Sequence, residues 1–401
     1  MRALLTKRVS SLTSAIRDIL KPARALEASG KKMYYFNIGD PNKFDFDTPD
    51  HLKEALKREI DRKVGHYSDS EGKLALREKI AEVEGKKAGF PADAESIVIT
   101  AGLSEALLFL AASLLEDGDE ILLPAPVYPP YSDYSKLFGG KVVTYPCVEG
   151  NGWAPDVSEI EGKISERTKA ICVISPNNPT GAVYPPETIK KIIKLGHEKG
   201  IPVIVDEIYD KLIFGGAKHV PAAKLAGDLP VIVMNGFSKN FLAPGWRLGY
   251  IYFHNPAGDP ALAEVEEGVK KLSRLRLSAS TPLQRALVSA WDDTLHFGEI
   301  QRKLSERAEL VSEIVNSTPG LSVQKPLGAF YVFPKVDLSA GGWASDKEFV
   351  LDQMRETGLV VVNGSGFLSP GHFRSVILAE PETLREAFGK LRDFMEKKIK
   401  S

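Results

Sequence analysis

The sequence predicts an α/β fold in which a mainly parallel seven-stranded sheet lies between helices, joined to a smaller α+β part. Three observations predict it. Seven short apolar runs alternate with helical patterns between residues 96 and 253. The runs are continuously apolar and rich in Val and Ile, as strands buried on both faces of a parallel sheet are. Past residue 290 the pattern changes to a long charged helix, a set of short strand candidates and a closing helix.

The seven runs are Ser96–Thr100, Glu120–Leu123, Lys141–Tyr145, Ala170–Ile174, Pro202–Val205, Val231–Met234 and Leu248–Phe253. Between them lie helix candidates such as Ser104–Leu115 and Glu187–Glu198, the latter closed by Lys199-Gly200. Strand and helix in alternation build parallel pairs through right-handed crossovers. The long helix spans His296–Asn316 and ends at Thr318-Pro319-Gly320. Strand candidates Leu321–Gln324, Ala329–Phe333, Leu359–Val362 and Phe373–Leu378 follow, then a helix from Glu382 to about Lys398. The expected organisation is a large α/β domain over 46–290 and a small α+β domain over 291–401. Residues 1–45, too few to fold alone, pack with the small domain.

Composition narrows the function classes. A chain of 401 residues with 43% hydrophobic and 26% charged residues is long enough for two cores and too apolar for disorder. Fifty-two basic against 53 acidic residues leave a net charge of -1, so no global field favours nucleic acid or an anionic membrane. Lys7 and Arg8 interrupt the apolar start Met1–Leu5 before a leader develops, and the longest apolar stretch, Ala106–Leu115, is half the ~20 residues of a membrane span. With Cys147 and Cys172 as its two cysteines, the chain is expected in a reducing cytoplasm. Seven histidines without i,i+4 pairing and cysteines 25 apart make no metal pattern, so no metal is expected.

Ligands of open α/β sheets bind beyond the carboxyl ends of the strands, and these ends carry chemistry. Thr100 leads through Ala101-Gly102 into a helix near Ser104, a turn that either caps the helix or presents N–H groups to an anion. Ser175–Gly181 is a stiff Pro- and Gly-rich loop whose Asn177 and Asn178 either bond their own backbone or project toward a ligand. Asp206, ending an apolar strand, needs a partner, either a helix cap or a cationic nitrogen. Lys239, just past another buried strand, is either solvated or a desolvated, Schiff-base-forming amine. Arg247, eight residues on, could clamp a phosphate. Together these are the groups pyridoxal phosphate needs: an amine for its aldehyde, a carboxylate for its pyridinium nitrogen and a phosphate cup.

The run Ser-Lys-Asn-Phe-x-x-Pro-Gly-Trp-Arg-Leu-Gly-Tyr (Ser238–Tyr250) resembles the lysine signature of class I, fold-type I pyridoxal-phosphate aminotransferases. Asn37–Pro41, His66–Gly72, Pro126–Tyr131, Asn178–Gly181, Asp206–Tyr209 and Gly371–Arg374 stand in that family's order and spacing. The resemblance runs from about Ile16 to Phe394, and Asp69–Gly72 with Met234–Lys239 is most similar to the archaeal alanine aminotransferase branch.

That resemblance implies a role for each matching residue. Lys239 would hold the cofactor and carry the substrate proton; Asp206 would keep the pyridine nitrogen protonated. Asn178 and Tyr209 would bond the ring oxygen, and Tyr128 would stack on the ring. Arg247, Ser238 and the Gly102-Leu103-Ser104 turn would hold the phosphate, with Tyr67 reaching in from the neighbouring subunit of a homodimer. Arg374 would fork onto the substrate α-carboxylate, assisted by Asn178 and the Gly39 backbone, while Tyr128 borders the substrate.

The expected reaction is ping-pong transamination between an L-amino acid and a 2-oxo acid, foremost alanine with 2-oxoglutarate. Aspartate or aromatic specificity, or a carbon–sulfur lyase of the same fold, are the alternatives; a transcription regulator would need a DNA-binding helix pattern, absent before Asn37. Two departures stand out. Gly236 occupies a position where many relatives carry a phosphate-binding serine, and no residue matches the arginine that dicarboxylate-specific relatives use. Arg274 and Arg276 lie nearby and read as surface helix charge, with Arg276 turning inward, or Ser278, as possible partners for glutamate's second carboxylate.

Overall fold

The computed structural model describes residues 4–12, 14–291 and 296–400; Met1–Ala3, part of the stretch read for a leader, lie outside them. Its main sheet has eight strands: β1 (Ile97–Thr100), β2 (Glu120–Ala125), β3 (Lys141–Val148), β4 (Ala154–Pro155), β5 (Thr168–Ile174), β6 (Val203–Asp206), β7 (Val231–Gly236) and β8 (Gly249–His254). Seven are the apolar runs of the sequence. The eighth, β4, is a two-residue edge strand carrying a proline, too short to leave a periodicity.

The order is β1-β8-β7-β6-β5-β2-β3-β4. The pairs β7–β6, β6–β5, β5–β2 and β2–β3 are parallel; β8 runs antiparallel to β1 and β7, and β4 antiparallel to β3. The carboxyl ends of β1, β2, β5, β6 and β7 therefore share one edge. The central strands bury both faces by simple alternation. Val203 and Val205 of β6 join one hydrophobic cluster with Ile171 and Val173 of β5, while Ile204 joins the opposite one with Cys172 and Ile174. Each such buried Val or Ile contributes about 1.5–3 kcal/mol.

A third cluster gathers the N-terminal segment with the C-terminal third, packing Tyr34 and Phe36 with Leu304, Ala308, Phe330 and Phe388. The tie is backbone as well as side chain, since Tyr34–Tyr35 pairs in parallel with Leu359–Val360. A three-stranded group sets Phe373–Val376 between Tyr331–Val332 and Val362–Asn363. Its strands are shorter than the sequence runs suggested, because the ladders break after a few residues. The helices Leu103–Leu114, Pro186–Glu198, His296–Asn316 and Pro381–Lys400 match the expected ones within a few residues at each end. Among the described residues no helix is long and apolar enough to cross a membrane.

Candidate active site

A cavity of about 570 Å³ opens where the strand ends meet the third cluster. Lys239 lies at its wall. After β7 the chain turns into the single helical turn Phe237–Asn240, which directs the Lys239 amine to the carbonyl of Gly39, 2.8 Å away. Burial pushes this amine down to about 8; Asp40 opposes that effect, and Arg374 and Arg247 add to it. Gly39 is required where it stands, because a Cβ there would collide with the Tyr331 hydroxyl and the Phe330 ring.

Asp206 ends β6 on the same face as Ile204. Its Oδ1 accepts from the Ile208 N–H at 2.9 Å and its Oδ2 from the Tyr131 hydroxyl at 2.6 Å. It is thus both a backbone cap and a ligand-facing group. Burial pushes its carboxyl up to about 6, with the Tyr131 hydrogen bond opposing. No cation pairs with it among the described residues, so a bound cation would have a partner waiting. The two asparagines of the loop after β5 divide the two readings between them. Asn177 accepts from the Thr180 N–H and hydroxyl at 3.2 and 2.9 Å, stiffening the loop. Asn178 instead lines the cavity and accepts from Arg374 Nη1 at 3.0 Å.

Arg374, on the central strand of the small sheet, is 1% exposed and aims into the cavity. Its Nη2 donates to the Asn37 carbonyl at 2.6 Å, and its guanidinium lies over the rings of Tyr331 and Phe367 at 4.6 and 4.7 Å. Its Nε is buried without a partner among the described residues, a donor left for a ligand. Arg247 holds a left-handed backbone (φ +57), a strain of order 1–3 kcal/mol common at functional sites. Its Nη2 donates to the Ala101 carbonyl at 3.1 Å. A Cβ on Gly102 (φ +77) would strike that guanidinium, so glycine lets arginine and helix N-terminus approach one another.

Leu103, Ser104, Tyr128, Tyr209 and Ser238 also line the cavity. Tyr209 shares a 3.0 Å hydrogen bond with Tyr331. Tyr67 does not line it: this side chain is 77% exposed. Gly236 carries no serine for a steric reason, since a Cβ would sit 2.8 Å from Gly249 Cα and 3.0 Å from the Leu248 carbonyl. Arg274 is surface charge, paired with Glu71 and Glu267. Arg276 is not: it is half-buried, bonded to Glu105 and to the carbonyls of Ser70 and Ile99, and it does not turn into the cavity. Sequence reasoning missed Tyr131, Tyr331, Asn37 and Asp40. Three of them stood inside recognised motifs, whereas Tyr331 lies within the strand candidate Ala329–Phe333 and carried no signal of its own. A groove of similar volume along Glu78–Ala94 has no comparable convergence of groups.

The sequence profile for "Aminotransferase class I and II" matches residues 31–391, nearly the whole chain. The chain belongs to this family. This aminotransferase is 36% identical to the glutamate-pyruvate aminotransferase AlaA of Haemophilus influenzae, over 94% of this chain and 93% of that one. It is 33% identical to the alanine aminotransferase of Mycobacterium bovis, over 97% and 93%. Among solved structures, an alanine aminotransferase from Pyrococcus furiosus superposes with a TM-score of 0.94 at 45% identity, over 99% of this chain and 100% of that one. A Thermus thermophilus aspartate aminotransferase double mutant follows at 0.88 and 31%, over 98% and 100%.

The family depends on pyridoxal phosphate. The donor set suits that group: an amine whose burial lowers its pKa, a buried carboxylate paired with no cation among the described residues, and an arginine beside a glycine-opened helix N-terminus.

Proposed function

We propose that this aminotransferase exchanges the amino group of L-alanine with 2-oxoglutarate, giving pyruvate and L-glutamate by a ping-pong mechanism, as a cytoplasmic homodimer. The observation that carries the substrate reading is nearly full-length likeness, at 33–45% identity, to alanine and glutamate-pyruvate aminotransferases.

In this reading residues 46–290 bind the cofactor, and residues 291–401 with 1–45 carry Arg374. Bound pyridoxal phosphate supplies an electron-withdrawing ring conjugated to the substrate nitrogen. The chain's own residues do the rest. Asp206, its charge stabilised by Tyr131, holds the proton on the ring nitrogen. Tyr209 and Asn178 bond the ring oxygen, and Tyr128 packs on the ring face. Arg247, Ser238 and the Gly102-Leu103-Ser104 turn grip the phosphate. Arg374 presents a planar fork to the substrate α-carboxylate, with Asn178 and Gly39 beside it. Lys239 Nζ takes the proton from the substrate Cα, a task suited to an amine neutral above about pH 8.

Support for the dimer is an exposed apolar patch. Tyr67, Leu275 and Leu277 are 77%, 82% and 55% exposed. Arg276 donates to the Ser70 carbonyl and Thr281 to the His66 carbonyl, which bring these segments together. A second subunit covers such a surface, and Tyr67 then reaches the partner's phosphate site.

Half-reaction rates with single L-amino acids test the substrate reading. Alanine and glutamate are expected to exceed aspartate in kcat/KM. Aspartate or an aromatic donor reacting about tenfold better than alanine would replace the alanine reading and leave transamination standing.

A further inference from the structure

A glutamate–alanine exchange presents one cavity with two kinds of side chain, a methyl group and a second carboxylate. The arginines near the cavity other than Arg17 have hydrogen-bond partners within the chain. Arg247 donates to the carbonyls of Ala101 and Pro244, Arg374 to Asn178 and Asn37, and Arg276 to Glu105 and two carbonyls. Arg17 is the exception. It lines the cavity from the short helix Ala15–Asp18, and among the described residues it pairs with no carboxylate and bonds no carbonyl. Besides Asp206, two more carboxylates, Asp40 and Asp133, line the same cavity. They would repel a dicarboxylate that met no further cation and would leave a substrate with a methyl side chain indifferent.

The short helix is held in register with the α-carboxylate site. Asn37 accepts from Arg374 Nη2 through its carbonyl at 2.6 Å, and donates from its side-chain amide to the Ile16 carbonyl at 3.0 Å. One residue therefore ties the buried arginine to the segment carrying Arg17. On the other side Ala15 sits against Gly366, where any Cβ would collide with it. We propose that Arg17 binds the distal carboxylate of glutamate and 2-oxoglutarate, and that Asn37 sets its spacing from Arg374. Alanine and pyruvate leave Arg17 unused, so one cavity serves both half-reactions without a retracting group.

This inference rests on the proposed glutamate–alanine exchange and is tested separately from it. Arg17→Ala and Arg17→Gln in the holoenzyme are expected to lower kcat/KM for glutamate and 2-oxoglutarate by about tenfold or more, the scale of one charge-assisted hydrogen bond. Alanine and pyruvate should change by less than about twofold. Arg17→Lys, which keeps the charge and loses the fork, should fall between. Calorimetric titration of the holoenzyme with two unreactive acids gives a readout apart from turnover. Glutarate should bind about tenfold more weakly to Arg17→Ala, and butyrate equally to both. Equal losses for all four substrates, or unchanged glutarate affinity, would overturn the assignment of Arg17. A wild-type enzyme inactive with alanine and 2-oxoglutarate would overturn the exchange reading, and the glutarate–butyrate contrast would still decide Arg17.

Discussion

Asp206 carries two demands at one residue: its backbone ends a fully buried strand, while its carboxylate faces a cavity with one hydroxyl and one backbone N–H as its hydrogen-bond donors. Burial has pushed its carboxyl up to about 6, from an ordinary value of 3.8. Between about pH 4 and 6 the folded state thus holds a proton that the unfolded chain has released, and stability from this group falls as pH rises. Stripped of cofactor, Asp206→Asn is therefore expected to be more stable than wild type at pH 7, by up to about 3 kcal/mol. The difference should vanish near pH 4; urea melts at both pH values check it. In the loaded enzyme the same substitution should slow the amino-acid half-reaction by orders of magnitude, because the ring nitrogen loses its anionic partner. Tyr131→Phe should act in the same direction, less strongly, since it removes one hydrogen bond to the carboxylate. The need for a partner at Asp206 was legible in the sequence; Tyr131, 75 residues earlier, was legible only as part of a motif.

Elements carry the next level of organisation. Arg276, last residue of the helix Pro260–Arg276, pairs with Glu105, whose Oε2 in turn accepts from the Ala101 N–H at 2.7 Å. Ala101 also accepts from Arg247. Arg276 thus braces the turn between β1 and the helix Leu103–Leu114 rather than meeting substrate. Arg276→Ala is expected to weaken cofactor retention and to lower alanine and glutamate turnover alike, measured by dialysis and by both half-reactions. Behind the lysine turn, Lys87 sits between Glu84 and Asp210, at 2.8 Å from each, and Asp210 accepts from Asn240 at 2.7 Å. Burial alone would lower the Lys87 pKa, but the two carboxylates outweigh it and raise it. Lys87→Met leaves two buried carboxylates facing each other and should cost about 3–5 kcal/mol in a denaturant melt. Helical periodicity placed Arg276 on a charged helix; it held no sign that the last turn folds back over β1.

At the scale of the molecule, the unit proposed to work is larger than one chain. Sedimentation is expected to show a dimer. Leu275→Glu with Leu277→Glu should shift it toward monomers that lose activity while keeping their far-ultraviolet circular dichroism. Mixed dimers carrying Lys239→Ala and Tyr67→Phe on one chain, opposite a wild-type chain, should retain one impaired site. A fully active monomer would refute the shared-site reading.

The sequence by itself determined the strand–helix alternation, the shared polarity of the strand ends and the residue types that stand there. Each of these follows from local pattern: strand burial on both faces shows as continuous apolar runs, and ligands of such sheets meet the carboxyl ends. Tertiary structure alone decided which of two chemically equal neighbours serves the site, as with Asn177 and Asn178. It also decided that Arg276 is spent on Glu105 while Arg17 is not. The reason is distance along the chain. Arg374 meets Asn178 across 196 residues and Asn37 across 337, and no local rule of spacing reaches that far.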